Sequence, residues 1–360
     1  MLREHGQGAW RRLSECSGAD CDRCLVQVDG VVRRACLRLA GQCGQASIEP
    51  ARAAKASPSE AEVLDPVRTE AVRPASCRYA TPPTRAALLE AVAAHQAAGR
   101  SVGFLAGGLG LVPRMKLHAA EAPDVLFDLS AIDGLQLISS STDAGMVVGS
   151  AVTIGRLLRS NLVAAHAGEL FWSVAAGGGL DSVSRQAATL GGVIARPSPA
   201  GAWHACLWAL DASVVLVGED GVRTAPSDQF FAGLPASSRR PGELIVSLEI
   251  PPLAELGFAG YQARHGLGVC VNLRFDPAGR VRLLRVAVHG LTPEVYRAHD
   301  LERGLVGVAS ERMGFETARI GMTPPCPAAS SMPGRAIVLE LLVELLEQSH
   351  SQLRGRLRED

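Results

Sequence analysis

Apolar and polar positions divide the chain into short runs separated by glycine, proline and aspartate punctuation. Arg85 to Gln96 carries Leu88, Leu89 and Val92 at helical spacing. Thr84 stands where a cap belongs and Gly99 where a helix stops. The next run, Gly103-Phe104-Leu105, reads as a short buried strand entering Ala106-Gly107-Gly108-Leu109-Gly110-Leu111-Val112-Pro113. Proline favours the first turn of a helix, so a strand, a glycine loop and a helix are predicted in succession. Further strands are predicted over Pro123–Leu129, at Leu135–Ile138 and Met146–Gly149 around Asp143-Ala144-Gly145, and over Ser213–Gly218, Leu244–Ile250 and Val281–Gly290. Helices are predicted after Thr153, over Trp203–Leu210, and from about Gly334 to Ser349, where Ile337, Val338, Leu341, Leu342 and Leu345 form an apolar face. No repeat of solenoid length is present.

Two stretches suggest ligand chemistry. Three glycines in four positions, Gly107, Gly108 and Gly110, leave backbone N–H groups uncovered. Such a loop can approach a pyrophosphate and donate several hydrogen bonds to it. It can equally be a tight turn with no ligand. Its spacing nearly matches the Rossmann fingerprint, but Pro113 replaces the third glycine and no acidic partner follows at the expected distance. A second glycine pair, Gly191-Gly192, sits in the apolar stretch from Arg185 to Ala202 and predicts another close backbone approach.

Composition narrows the class. With 47% hydrophobic and 20% charged residues in 360, two or three well-packed domains are expected. Thirty-six basic and 36 acidic residues balance, which argues against a nucleic-acid binder held by a general basic field. No run is long enough to span a membrane and the N-terminus has no apolar signal core, so a cytoplasmic protein is expected. Nine cysteines, an odd number, fit a reducing compartment. Cys77, Cys206, Cys270 and Cys326 are scattered and read as small buried residues.

The other five, Cys16, Cys21, Cys24, Cys36 and Cys43, crowd the first 43 residues. Cys16-x4-Cys21-x2-Cys24, followed by Cys36, is the plant-type [2Fe–2S] spacing. Leu25 to Ala35 alternates around Asp29-Gly30, a two-residue hairpin signal that would return Cys36 towards Cys24. Zinc is an alternative, although the second short-spaced pair usual for structural zinc is missing; a vestigial cluster binding nothing is another. Ala54 to Pro74 has linker composition. The boundaries expected are a ferredoxin-like segment 1–50, a linker 51–74, a central domain 75–250 and a C-terminal α+β domain 251–360.

The order of these parts resembles the flavin and iron–sulfur electron-transfer subunits of the molybdenum hydroxylase family, which includes xanthine dehydrogenase and aerobic carbon monoxide dehydrogenase. The motifs that carry it are Ala106 to Leu111 with Pro113 and Lys116, Phe127-Asp128-Leu129, Gly149 to Thr153, Arg185 to Ala195, Ser198 to Ala202, and Pro241 to Ile245. The resemblance runs from about Tyr79 to Leu346, with a ferredoxin-like part from Leu2 to Pro50. It implies an α+β fold: an FAD-binding domain of PCMH-like type in two α/β subdomains, a C-terminal α+β domain and a partial β-grasp segment at the N-terminus.

It further implies FAD held by Leu105, Ala106, Gly107, Gly108, Leu109, Gly110, Leu111, Thr189, Gly191, Gly192, Ser198 and Leu244, the two glycine loops clamping the pyrophosphate. A [2Fe–2S] cluster would sit on Cys16, Cys21, Cys24 and Cys36. The implied activity is that of an oxidoreductase subunit in a hetero-oligomer. It would pass electrons from a molybdenum-cofactor large subunit to NAD or another acceptor, with no catalytic residue of its own. Several family polar residues differ here: the Thr-Asp of the first loop is Leu109-Gly110, the Asn after the second glycine pair is Val193, and the Asp of the Ser-Pro motif is Ala202. Each lost contact is worth about 1 kcal/mol, and together they lower affinity by orders of magnitude. A cofactor-poor structural paralogue is therefore the alternative.

Overall fold

A computed structural model describes residues 25–28, 31–34, 48–50, 77–117, 122–141, 145–178, 180–195, 201–232, 238–253, 257–292, 294–321 and 332–359. The chain divides into two compact units, Met1–Ala71 and Val72–Asp360. In the first, β1 (Leu25–Val28), β2 (Val31–Arg34) and β3 (Ile48–Pro50) form an antiparallel sheet in the order β2-β1-β3. Val28 pairs with Val31, the two-residue hairpin that Asp29-Gly30 predicts. Cys16, Cys21, Cys24 and Cys36 lie outside the described residues, as does the expected linker.

The second unit opens with a parallel sheet. Strands β4 (Arg78–Ala80), β5 (Val102–Leu105) and β6 (Val125–Asp128) lie in the order β4-β6-β5, joined through α1 (Arg85–Ala97) and α2 (Leu111–Leu117). Helix α1 starts at Thr84, whose Oγ1 accepts the Ala87 N–H at 3.1 Å. It buries Leu88 and Val92 against Val125, Phe127 and Leu129. Helix α2 begins two residues before Pro113, because the Val112 N–H already reaches the Gly108 carbonyl. Proline in a first turn lacks only an N–H that would have no helical partner.

The central subdomain is built on a five-stranded antiparallel sheet. Its elements are β7 (Ile138–Ser141), β8 (Gly145–Gly149), α3 (Ile154–Leu158), α4 (Asn161–Gly177), α5 (Ser184–Ala187), α6 (Leu190–Ile194), α7 (Ala202–Ala209), β9 (Ser213–Gly218), β10 (Gly221–Ala225), α8 (Ser227–Phe231) and β11 (Leu244–Ile250), with strand order β10-β9-β11-β8-β7. The strand expected at Leu135–Ile138 starts only at Ile138. Leu135 and Leu137 still accept hydrogen bonds from Ala151 and Gly149 through their carbonyls.

The C-terminal part is a meander, β12 (Gly257–Arg264), β13 (Leu267–Phe275), β14 (Val281–His289) and β15 (Tyr296–Arg297), followed by α9 (His299–Leu305), α10 (Met313–Ile320) and α11 (Met332–Glu359). Its sheet is covered on both faces. Val269, Val271 and Leu273 share a core with Leu341, Leu342 and Leu345 of α11, while Cys270 and Ala287 join the core of the central subdomain. Cys206 and Cys270 are buried as expected, and Cys77 is half-buried. No helix among the described residues is long and apolar enough to cross a membrane.

Candidate functional site

The carboxyl end of the parallel sheet sets the site. Leu105 closes β5 in register with Asp128 at the end of β6, and the chain leaves Leu105 directly into the first glycine loop. Gly108 adopts φ +73°, a left-handed conformation that side chains other than glycine rarely take. Among the described residues no hydrogen bond uses the N–H of Gly107, Gly108, Leu109 or Gly110. These four donors sit in one partly exposed turn between a strand end and a helix start. Uncapped backbone donors in such a place form a concavity suited to an anion. Next to it, the Asp128 carboxylate accepts the Tyr79 hydroxyl and the Ser130 N–H. Burial pushes its pKa up, but these hydrogen bonds outweigh burial and hold it below the usual carboxylate range.

The second glycine stretch lies against the first. A Cβ on Gly107 would stand 1.7 Å from the Ala187 carbonyl oxygen and 3.4 Å from the Thr189 nitrogen. The bare Cα of Gly107 thus brings the two loops into backbone contact, which the sequence spacing does not reveal. The Thr189 N–H has no partner among the described residues and is a fifth open donor beside the turn. Thr189 itself is buried, and its Oγ1 accepts the Gly192 N–H at 3.2 Å to cap α6.

The glycine pair at 191–192 has a different local role. The Gly191 N–H goes to the Ser150 carbonyl at 2.8 Å, and a Cβ on Gly191 would meet Ser150 Cβ at 2.6 Å. The Gly192 N–H is taken by Thr189. These glycines seat α6 on the strand exit at 149–152, while the open donors stand on the first loop and at Thr189. Arg185 fixes the approach to α6 from behind, its guanidinium donating to the carbonyls of Leu180 at 2.8 Å and Ala175 at 3.0 Å. His204 holds the far end, Nε2–H donating to the Ile194 carbonyl at 3.0 Å.

Ala106 and Leu244 meet in one apolar cluster with Val217, Leu135 and Phe127. Leu244 is 2% exposed, so its side chain belongs to that core and only its backbone could face a ligand. Leu109 and Val112 stand exposed at the loop. Leu111 starts α2. Ser198 lies outside the described residues. Ser150 carries no signal in the sequence beyond its neighbours in Gly149 to Thr153, yet it is the residue on which Gly191 rests.

Known proteins match this arrangement. The family model for the FAD binding domain in molybdopterin dehydrogenase covers residues 75–253. The carbon monoxide dehydrogenase medium chain of Hydrogenophaga pseudoflava is 29% identical over 69% of this chain and 87% of its own length. The nicotine 6-hydroxylase medium subunit of Paenarthrobacter nicotinovorans is 30% identical over 57% of this chain and 72% of its own. A solved structure of carbon monoxide dehydrogenase from Hydrogenophaga pseudoflava, lacking the Mo-pyranopterin moiety of the molybdenum cofactor, superposes with a TM-score of 0.64 at 26% identity. It covers 76% of this chain and 97% of that one. Quinoline 2-oxidoreductase from Pseudomonas putida 86 shares the fold, with a TM-score of 0.65 at 20% identity over 77% of this chain and 98% of that one. A parallel strand end opening into a row of unpaired N–H groups, followed by the expected central sheet and matched by these relatives, places the chain in the molybdopterin dehydrogenase FAD-binding family.

Proposed function

We propose that the chain is an FAD-carrying electron-transfer subunit that works beside a molybdenum-cofactor large subunit and passes electrons to NAD or another acceptor. The observation that carries this reading is the cluster of open N–H groups at Gly107, Gly108, Leu109, Gly110 and Thr189. Its donors fit the chemistry of a pyrophosphate, which needs several N–H groups and tolerates no side chain between itself and the backbone. Bound FAD would supply two-electron and one-electron redox chemistry, the protein contributing position and electrostatics. Leu105, Ala106 and Leu111 would shape the first loop. Gly191 and Gly192 would bring α6 close, and Thr189 would add its free hydroxyl proton as well as its N–H. Ser198 and the Leu244 backbone complete the proposed set. The FAD-binding domain then spans 75–250 and the C-terminal domain 251–360.

A [2Fe–2S] cluster on Cys16, Cys21, Cys24 and Cys36 belongs to the same proposal. Its support is the ligand spacing together with the β1–β2 register, which sets Leu25, next to Cys24, opposite Arg34, two residues before Cys36. Thiolate ligands and free buried thiols also suit the cytoplasm. Relatives named as medium chains support a hetero-oligomer.

Purified full-length chain titrated with FAD tests the reading. Quenching of flavin fluorescence with a saturable end point is expected, and absence of binding at FAD concentrations far above those in cells would reject it. After reconstitution with iron and sulfide, acid-labile sulfide and a reduced-state EPR signal test the cluster independently. A second reading, a paralogue that keeps the fold without FAD, is favoured by Leu109, Gly110, Val193 and Ala202 in place of polar family residues. The same titration separates the two.

Thr189→Ala provides a smaller test. It removes the cap on α6, and a loss of about 1 kcal/mol in urea denaturation is expected. It also removes a ligand donor, so FAD affinity should fall by more than Thr189→Ser, which keeps the hydroxyl.

A further inference from the structure

Helix α7 and the C-terminal sheet meet in a buried polar seam that the proposed FAD chemistry does not use. His204 on α7 is buried with its Nε2–H given to Ile194. His289, at the end of β14, is 2% exposed, stacks on Tyr261 of β12 at 5.8 Å between centroids, and has Nε2 2.9 Å from the Tyr261 hydroxyl. Its Nδ1 is buried without a partner. A Cβ on Gly268 would stand 2.2 Å from His289 Nε2, and one on Gly177 would stand 2.7 Å from Tyr261 Cε1, so both glycines exist to admit this pair.

Among titratable groups, Tyr261 on β12 bonds His289, the two imidazoles are neighbours, and Cys206 on α7 and Cys270 on β13 interact with each other and with Tyr261. Neither imidazole hydrogen-bonds a carboxylate among the described residues. The charged residues of the seam lie one turn on along α7 and four residues back along β14. There Asp228, Asp211, Arg285, Arg297 and Glu302 pair among themselves. A second proton on either imidazole would therefore make a buried cation with no carboxylate bonded to it, a state that costs far more than the neutral ring.

We propose that this seam is an acid-labile latch, holding the C-terminal sheet on α7 only while His204 and His289 are both uncharged. Burial keeps both rings below the ordinary histidine range, His289 at about 4, with the neighbouring His204 adding to the shift. The sign follows directly. The depressed folded pKa means that the opened form binds protons more tightly. Opening is thus favoured as pH falls below about 6.5 and grows until the folded pKa is passed. Above pH 5 the carboxylates contribute little to this slope.

Native-state hydrogen exchange of the β13 and β14 amides in the full-length chain, corrected for intrinsic rates, reads the opening constant from pH 6.5 to 5. His289, held at about 4, by itself gives a rise of about 15-fold over this range, and a buried His204 adds to it. His289→Gln keeps an amide for Tyr261 and cannot titrate; His204→Gln keeps a donor for Ile194. His289→Gln is expected to remove about 15-fold of the rise over this range, His204→Gln to flatten it further, and the double variant to abolish it. A slope unchanged in whichever of the single variants folds, or a parent opening constant flat over this range, would overturn the latch. The measurement needs no FAD, so it stands apart from the proposed cofactor.

Discussion

Gly107→Ala is expected to weaken FAD binding about 100-fold while most of the chain stays folded. The added Cβ would fall 1.7 Å from the Ala187 carbonyl oxygen and 2.8 Å from its carbon, where real Cβ contacts stay beyond 3.0 Å. Both atoms are backbone, so no rotamer change relieves the overlap and the two loops must part by more than 1 Å. The Ala187 segment is held in place by the Ala188 carbonyl, which accepts the Ile154 N–H, and by the α6 cap. The more mobile partner is thus the first loop, which carries the open donors. Losing two or three of these contacts amounts to about 3 kcal/mol, or about 100-fold in affinity. Flavin fluorescence titration of parent and variant measures it, with far-UV circular dichroism as the folding check. Gly355→Ala on α11 is the control: nothing lies within 4 Å of its Cβ, and affinity should be unchanged. Equal FAD affinity for Gly107→Ala would show that the loop contact does not shape the site.

The second large effect concerns stability. Arg297→Met is expected to cost about 3–5 kcal/mol, because it strands a buried carboxylate. The Arg297 side chain is 3% exposed and that of Glu302 7%. Their two parallel bonds measure 2.9 and 2.6 Å. Arg297 also reaches Asp228 at 3.0 Å, and Asp228 accepts the Trp208 indole N–H at 2.6 Å, tying α7 and α8 to the C-terminal sheet. Glu302 also accepts the Val286 N–H at 2.8 Å and lies 3.2 Å from His299 Nδ1. Urea midpoints of Arg297→Met, Glu302→Gln and the double variant form a cycle. The double variant should lose less than the sum, since neither charge is then buried alone. A loss under about 1 kcal/mol for Arg297→Met would place the pair among ordinary surface bridges.

How much of this was legible in advance depends on how local each signal is. Helix α1 was, because Thr84, Leu88 and Val92 state cap and face within one short window. The β1–β2 hairpin was, because Asp29-Gly30 dictates its own register. The long helix α4 was not, since its alanines and glycines dilute the apolar stripe and it kinks at Ala167. Strands β12 and β13 were also missed. With both faces of β13 buried, its residues do not alternate, and periodicity cannot separate such a strand from other apolar segments. Helix α11 runs to Glu359, ten residues beyond the expected end at Ser349: the sequence after Ser349 is mostly polar, and Leu353, which anchors it to the C-terminal core, is the one buried residue there among those described.

The candidate site divides in the same way. Both glycine clusters stood out in the sequence, as did the order of motifs that led to the family. What the sequence by itself determined is the set of local elements and the conformational freedom of Gly107, Gly108 and Gly110, because these depend on neighbours in the chain. Only the tertiary structure decided what that freedom is for. Gly107 is bare so that Ala187 can approach it, Gly191 so that it can rest on Ser150, and the N–H groups of Gly107 to Gly110 and Thr189 are left without a partner among the described residues. Each of these contacts joins segments some 40 to 80 residues apart, and a backbone donor is open or satisfied according to what the fold brings to it, which no local window contains.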